Sequence, residues 1–287
     1  MNSSLIYPSS KNANRESNIF KNMITLSSVI YYPIKACRGF EVDSSNVERM
    51  GLEHDRRMMV VTPEGEFLTQ REFPKLALVT PGLKDDVLTL SAPDFDSIQL
   101  SIRRTGFSWH VNIWHSKGVQ AIDQGEEAVE WFSDWLGTSV RLVHIAEGLQ
   151  RKLNPQYAVN ADDHTGFADG YPILLISEES LGDLNSRLEK PLPMNRFRPN
   201  IVVKGCDPFA EDTWNQIQIG DVKLAIVKPC ARCVVTTIDK DTLERSKEPL
   251  KTLGKYRKHE LGAIFGQNVI PLNSGRLRLG MNVEIIS

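Results

Sequence analysis

Long apolar runs are missing from this sequence. No stretch approaches the roughly 20 uninterrupted apolar residues that a membrane helix needs, which excludes a helical membrane span. Charge of one sign is scarce too. Lys and Arg number 34 against 36 Asp and Glu, a formal net charge of −2 at pH 7. That balance exerts no long-range pull toward nucleic acid or acidic membranes, so neither is an expected partner and any anion site must be local. Cysteine is sparse, with Cys37, Cys206, Cys230 and Cys233 as the only four in 287 residues, too few for a secreted disulfide scaffold. The N-terminus, rich in Ser and Asn, lacks the apolar run and cleavage site of a secretory signal. A cytoplasmic location is therefore expected, where free thiols serve metal binding or catalysis. Glycine-rich phosphate loops of Walker or Rossmann type are absent, as are a Gly-x-Ser-x-Gly elbow and a His-Glu-x-x-His pair.

What remains is an ordinary globular composition, 41% hydrophobic and 24% charged, long enough for one or two domains. Residues 1–22 read as a flexible tail, or as sequence upstream of a true start at Met23. From Met23 to about Ile122 the pattern is mostly β. Strands are expected near Ile24–Tyr32, Met58–Thr62, Glu66–Thr69, Val87–Ser91 and Ile98–Ile102, with Pro63-Glu-Gly65 as a hairpin turn. Such short strands suggest a small barrel or sandwich.

Asp123–Leu136 predicts a helix capped by Asp123, with Glu126 three residues on and Val129, Phe132, Trp135 and Leu136 on one face. Gly137 suits its end. A second helix is expected over Glu178–Leu188, capped by Ser177. Strands follow at Val140–Ile145 before it and at Ile201–Lys204, Val222–Val227, Val234–Ile238, Val269–Leu272 and Asn282–Ile286 after it, with a polar interruption at Asp239–Pro249. Strands and helices do not alternate as in a doubly wound sheet.

Pro229-Cys-Ala-Arg-Cys233 holds two thiols three residues apart. Such a pair can chelate zinc, form a redox couple, leave one thiol free as a nucleophile or soft-metal ligand, or simply be buried. No second Cys or His pair completes a zinc set, and a β-branched run follows where a redox motif would begin a helix. Arg232 beside Cys233 would favour its thiolate. In Asn195-Arg-Phe-Arg-Pro-Asn200, Pro199 should keep Arg198 extended, suiting it to bidentate phosphate binding or to a surface ion pair. Lys35 sits at a turn, where solvation is the ordinary fate, and Arg56, where a turn leads into a strand, points either into a site or into solvent. His164 reads as a surface loop residue rather than a base.

Taken in order, Tyr32-Pro-Ile-Lys35, Asp55-Arg56, Phe167-Ala-Asp169, Asn195-Arg-Phe-Arg-Pro-Asn200, Gly205-Cys-Asp207, Ile219-Gly-Asp-Val222, Cys230-Ala-Arg-Cys233, Thr236-Thr-Ile-Asp239 and Pro249-Leu-Lys-Thr-Leu253 resemble the MOSC family. The likeness is to the subgroup with an N-terminal β-barrel region that includes the mitochondrial amidoxime reducing component and its bacterial relatives. It implies a mainly β fold with a few helices: an N-terminal MOSC β-barrel region over 23–143, a MOSC domain over 144–287, and a cofactor cleft between the two parts.

The resemblance further implies a molybdenum–molybdopterin cofactor of unspecified nucleotide form. Cys233 would be metal ligand and catalytic residue, Lys35, Arg56 and Arg198 would grip the phosphate, and Asn200 and Arg232 would lie near the pterin. Asp169, Gly170, Tyr171, Ala231 and Asn268 occupy further cofactor-facing positions of the family pattern. Ala36, Ala231, Gly170-Tyr171 and Asn268 depart from it, so backbone N–H donors would replace side-chain hydroxyls there. The implied activity is reduction of N-hydroxylated compounds with electrons from a ferredoxin-like or cytochrome-like partner and its reductase, since no Cys₄ cluster spacing is present. The alternatives are a non-catalytic cofactor carrier or a sulfur-transfer protein using Cys233. No pyridoxal-phosphate desulfurase region accompanies it, as a complete sulfurase would require.

Overall fold

The computed structural model describes residues 23–287, so the tail expected at residues 1–22 lies outside the described residues. The chain is mainly β, as expected. Its largest sheet runs in the order Phe40–Glu41, Thr25–Tyr31, Ile201–Lys204, Ile173–Ser177, Gly262–Pro271, Val222–Ala231, Gln216–Ile219, Val283–Ile285. Thr25–Tyr31 pairs antiparallel with Ile201–Lys204, so the first strand, with the short Phe40–Glu41 at its other edge, belongs to a sheet otherwise built from residues beyond 172. The sheet curls until Leu26 N–H reaches Met281 O at 2.9 Å and Val283 N–H reaches Ile24 O at 2.8 Å. Leu26, Val29, Leu175, Ile201, Val203, Ile217, Leu224 and Val269 fill its interior, the alternate side chains of strands sharing one buried face.

Residues 58–145 form the other half. Met58–Val61, Arg141–Ile145, Ser116–Asp123 and Ser108–Ile113 make one antiparallel sheet, and Thr80–Lys84, Val87–Ala92 and Phe95–Ser101 another. The turn at Pro63-Glu-Gly65 forms as expected. Gly65 takes φ +86°, and a Cβ there would lie 2.4 Å from His110 O, so only glycine fits.

Helix α1 (Glu126–Leu136) starts three residues later than expected. Asp123 ends a strand instead of capping, because its carboxylate is taken by Arg141 Nε at 2.5 Å and by Gly125 N–H. The buried face of α1 is Ala128, Trp131 and Phe132; Phe132, Trp135 and Leu136 of the expected stripe pack on the core while Val129 stays half-buried, and Gly137 ends the helix in the left-handed conformation. Helix α2 (Glu178–Ser186) is capped by Ser177, whose Oγ accepts from Ser180 N–H. Helix α3 (Leu250–Tyr256) follows the polar interruption, where none was expected. The segment predicted as a strand at Val234–Ile238 is instead a 3₁₀ turn, Val234–Thr237. Thr236 Oγ1 donates to Cys233 O at 2.8 Å and Thr237 Oγ1 to Val234 O at 2.7 Å, and these local bonds outcompete extended pairing. No helix among the described residues is long and apolar enough to cross a membrane.

Candidate functional site

The ends of several strands meet at one cleft between the two halves. Segments 32–35, 55–58 and 167 are laced by backbone bonds: Arg56 N–H to Tyr32 O at 2.7 Å, Lys35 N–H to Met58 O at 2.8 Å, and Phe167 N–H to Arg56 O at 2.9 Å. This lacing aims Lys35 and Arg56 inward. Lys35, expected to be solvated from its turn alone, is only 8% exposed. Its Nζ donates to Phe167 O at 3.0 Å and pairs with the Asp169 carboxylate. Burial pushes the Lys35 amine down, against the pull of Asp169. The crowded cleft would raise the Asp169 carboxyl, but the Lys35 ammonium and the Trp114 N–H, 3.0 Å away, outweigh this and hold it well below the usual carboxylate range.

Arg198 is not extended before Pro199; it takes φ +58°, turning the chain from the 3₁₀ segment Met194–Arg196 into the strand at Ile201. Its Nη1 donates to Cys37 O at 2.7 Å. Tyr32 lies between two guanidiniums, with Arg56 Cζ 4.3 Å and Arg198 Cζ 4.2 Å from its ring centroid. Burial pushes the Tyr32 hydroxyl up to about 12, so it stays neutral and donates to Pro199 O. Asn200 is fully committed: Oδ1 accepts from Arg56 Nη1 at 2.9 Å and from Leu174 N–H, while Nδ2 donates to Ile30 O at 3.0 Å. In this wall it positions Arg56.

The strand Val222–Ala231 bulges around Lys228 and Cys230 against Gly262–Pro271 and delivers Ala231, Arg232 and Cys233 to the cleft. Arg232 does not lie on Cys233 as its position in the chain suggests; Nη1 sits 3.1 Å from Cys230 Sγ and Nη2 donates to Phe197 O at 2.7 Å. Asn268 Nδ2 ties the same bulge through Lys228 O at 3.2 Å. Gly170 and Tyr171 form the opposite rim, the Tyr171 hydroxyl being pushed up to about 12 by burial and by Tyr157. All eleven sequence-predicted residues line this cleft: Lys35, Arg56, Asp169, Gly170, Tyr171, Arg198, Asn200, Ala231, Arg232, Cys233 and Asn268. His164 does not; it is buried, not at the surface, with Nδ1 2.8 Å from Asp162 O.

Counting ion pairs shows what the cleft is charged for. Lys35 is matched by Asp169, Arg56 by Asp55 at 2.7 Å, and Arg196 by Asp239 at 2.6 Å. Arg198 and Arg232 have no carboxylate partner among the described residues. Buried donors remain without a hydrogen-bond partner at Arg198 Nη2, Arg232 Nε and Arg196 Nε. Buried donors are seldom left unpaired. Two uncompensated guanidiniums suit a dianionic phosphate group, whose charge near neutral pH is about −1.5 to −2. Beside them the half-buried Cys233 offers a soft sulfur donor. Among the described residues no group of three His, Cys, Asp or Glu side chains could hold a metal ion, so no structural zinc set surrounds the pair.

Several residues of the cleft carry no local sequence signal. Trp114 and Arg71 come from turns of the N-terminal half. Lys240 lies beneath the cysteine turn with Nζ 2.5 Å from Gln70 Oε1, and burial, then the charges of Arg198 and Arg196, push its amine down to about 7.

Comparison with known proteins identifies the family. The family model described as "MOSC N-terminal beta barrel domain" matches residues 23–139, and that of the "MOSC domain" matches residues 162–284. Mitochondrial amidoxime-reducing component 1 of Mus musculus is 37% identical over 279 residues, covering 91% of this chain and 82% of that protein. The Homo sapiens protein of the same name is 35% identical, covering 95% of this chain and 86% of its own length. Mitochondrial amidoxime reducing component 2 of Rattus norvegicus is 39% identical, covering 89% and 81%.

Proposed function

The chain belongs to the MOSC family, in the branch of the amidoxime-reducing components, and on that footing we propose that it is a molybdenum-cofactor-dependent reductase of N-hydroxylated compounds. The observation that carries the reading is the convergence of a half-buried thiol, Cys233, with the carboxylate-free guanidiniums of Arg198 and Arg232 in one cleft. The donor set fits a molybdenum–pterin group: sulfur for the metal, and for the phosphate the unpartnered Nη2 of Arg198 beside the further cations Lys35 and Arg56. Cys233 would hold the metal, and Lys35, Arg56 and Arg198 the phosphate. When bound, the group supplies two-electron removal of oxygen from an N–O bond.

The residues of the chain do the rest. Tyr32 and Asn200 hold Arg198 and Arg56 in place, so the phosphate grip is preorganised. The Thr236 hydroxyl fixes the carbonyl of Cys233 and with it the turn that presents the sulfur. Arg232, bonded to Cys230 and Phe197 O, braces the wall next to it. Electrons would come from a separate ferredoxin-like or cytochrome-like protein. The four free thiols suit a reducing compartment, and the reading keeps the protein in the cytoplasm.

The test is metal and pterin analysis of protein from a molybdate-fed host, then reduction of benzamidoxime with a reduced viologen dye. Molybdenum with turnover supports the reading. Molybdenum without turnover would favour a carrier. Protein that takes up neither metal nor pterin sinks it.

A further inference from the structure

The cleft has an outer lip that lies outside the phosphate grip and is tied to the inner wall through Asp169. It is made by two turns of the N-terminal half. Trp114, at the tip of the hairpin joining Ser108–Ile113 to Ser116–Asp123, takes φ +51° and remains 37% exposed. A left-handed backbone under a bulky side chain is a genuine outlier, and such strain persists only where surrounding contacts over-determine it. Those contacts are present. The indole N–H donates to Asp169 Oδ1 at 3.0 Å, across the cleft, and the ring packs edge-on against Phe67 with centroids 4.9 Å apart. On the Trp114 ring lies the guanidinium of Arg71, 5.1 Å from the centroid. Arg71 is exposed, and among the described residues no carboxylate lies within ion-pair distance of it, while its backbone carbonyl is held by Arg245 Nη2 at 2.5 Å.

The mouth is therefore a fixed aromatic plane topped by a cation with its charge unspent, and both residues face the same space as Cys233. A flat substrate entering with its N-hydroxyl group toward Cys233 leaves its far end at this lip. The plane offers stacking, and the guanidinium offers a charge-assisted bond.

Resting on the reductase reading above, we infer that Trp114 and Arg71 are specificity-determining residues, and that the preferred substrates are planar N-hydroxylated compounds bearing an anionic group opposite the N–O bond. Arg71 is solvent-facing, so its replacement leaves the fold intact.

Three probes separate the possibilities: 4-carboxybenzamidoxime, unsubstituted benzamidoxime and 4-(trimethylammonio)benzamidoxime. Binding to the cofactor-loaded protein is read by titration calorimetry and turnover as kcat/KM with a reduced viologen. The readout is the ratio of carboxylate to trimethylammonium probe, which cancels differences in cofactor loading. The wild-type ratio should exceed unity by about two- to fivefold, the scale of one exposed charge contact. Arg71→Ala should bring it near one, and Arg71→Glu should invert it. Trp114→Ala should weaken all three aromatic probes relative to hydroxylamine. A charge ranking in binding without turnover would keep the lip assignment and remove the reductase reading. Turnover of all three at equal kcat/KM, or a ranking unmoved in Arg71→Glu, overturns the lip assignment and leaves the reductase reading standing.

Discussion

The two walls of the cleft are built on opposite plans. One wall is polar and committed: Lys35, Arg56 and Asn200 are held by carbonyls, carboxylates and one another, and Tyr32 is clamped between two guanidiniums. The wall carried by residues 68–71 and Trp114 is built from turns, with Leu68, Thr69 and Gln70 along it and the Trp114 ring under the unspent cation of Arg71 at its rim. The difference teaches where each kind of recognition is affordable. Several buried cations repel one another, so they must sit on strand ends whose backbone bonds fix them before any ligand arrives. Substrate discrimination needs no such collective support and can be placed on turns at the surface.

If the polar wall holds the cofactor, its loss should dominate everything else. Cys233→Ala should abolish dye-driven turnover and metal content while circular dichroism stays native. Cys230→Ala should be milder, since it only loosens Arg232 from its 3.1 Å contact. Equal turnover in Cys233→Ala and wild type would erase the distinction between the walls.

One step smaller, Arg198→Ala removes a charge-assisted partner worth about 1.5–3 kcal/mol, so pterin retention after gel filtration should drop roughly ten- to hundred-fold. Full retention would mean that the grip lies elsewhere.

The pH response should differ between the halves as well. Lys240, at the junction, has an amine pushed down to about 7 from the ordinary 10.5. Between those values the unfolded chain binds more protons, so stability rises with pH; below about 7 the cost of the buried ammonium is fully present. Lys240→Met should therefore melt higher relative to wild type near pH 6 than near pH 10. A difference in Tm that does not change with pH would contradict this.

The smallest effect is expected in the N-terminal half. His144, buried there with Nδ1 2.7 Å from Ile145 O, is pushed down to about 4 from 6.5 by burial first of all. Its contribution is present above pH 6.5 and is lost as pH falls toward 4. His144→Gln should shrink the acid-side fall in Tm by a few degrees. An unchanged acid limb would show that other groups govern it.

Much of the molecule was legible in its order of residues. The paired thiols left several chemistries open until the family resemblance chose among them, whereas alternating apolar positions announced strands, and Ser177 and Gly137 marked helix ends. These are local signals, carried by propensity and periodicity within a few residues. Where neighbours competed, the reading failed: Asp123 went to Arg141 rather than to a helix cap, the Thr236 and Thr237 hydroxyls curled an expected strand, and Arg198 turned left-handed. The association of Lys35 and Arg56 with Arg198 and Cys233 follows from pairing Thr25–Tyr31 against Ile201–Lys204, a contact between segments far apart in the chain. Trp114 and Arg71 reach the cleft, and Lys240 the space beneath the cysteine turn, only because two turns and a loop fold together there. Nothing in their neighbouring residues encodes that, since a side chain acquires such surroundings only when the packing of the whole chain has brought distant backbone together.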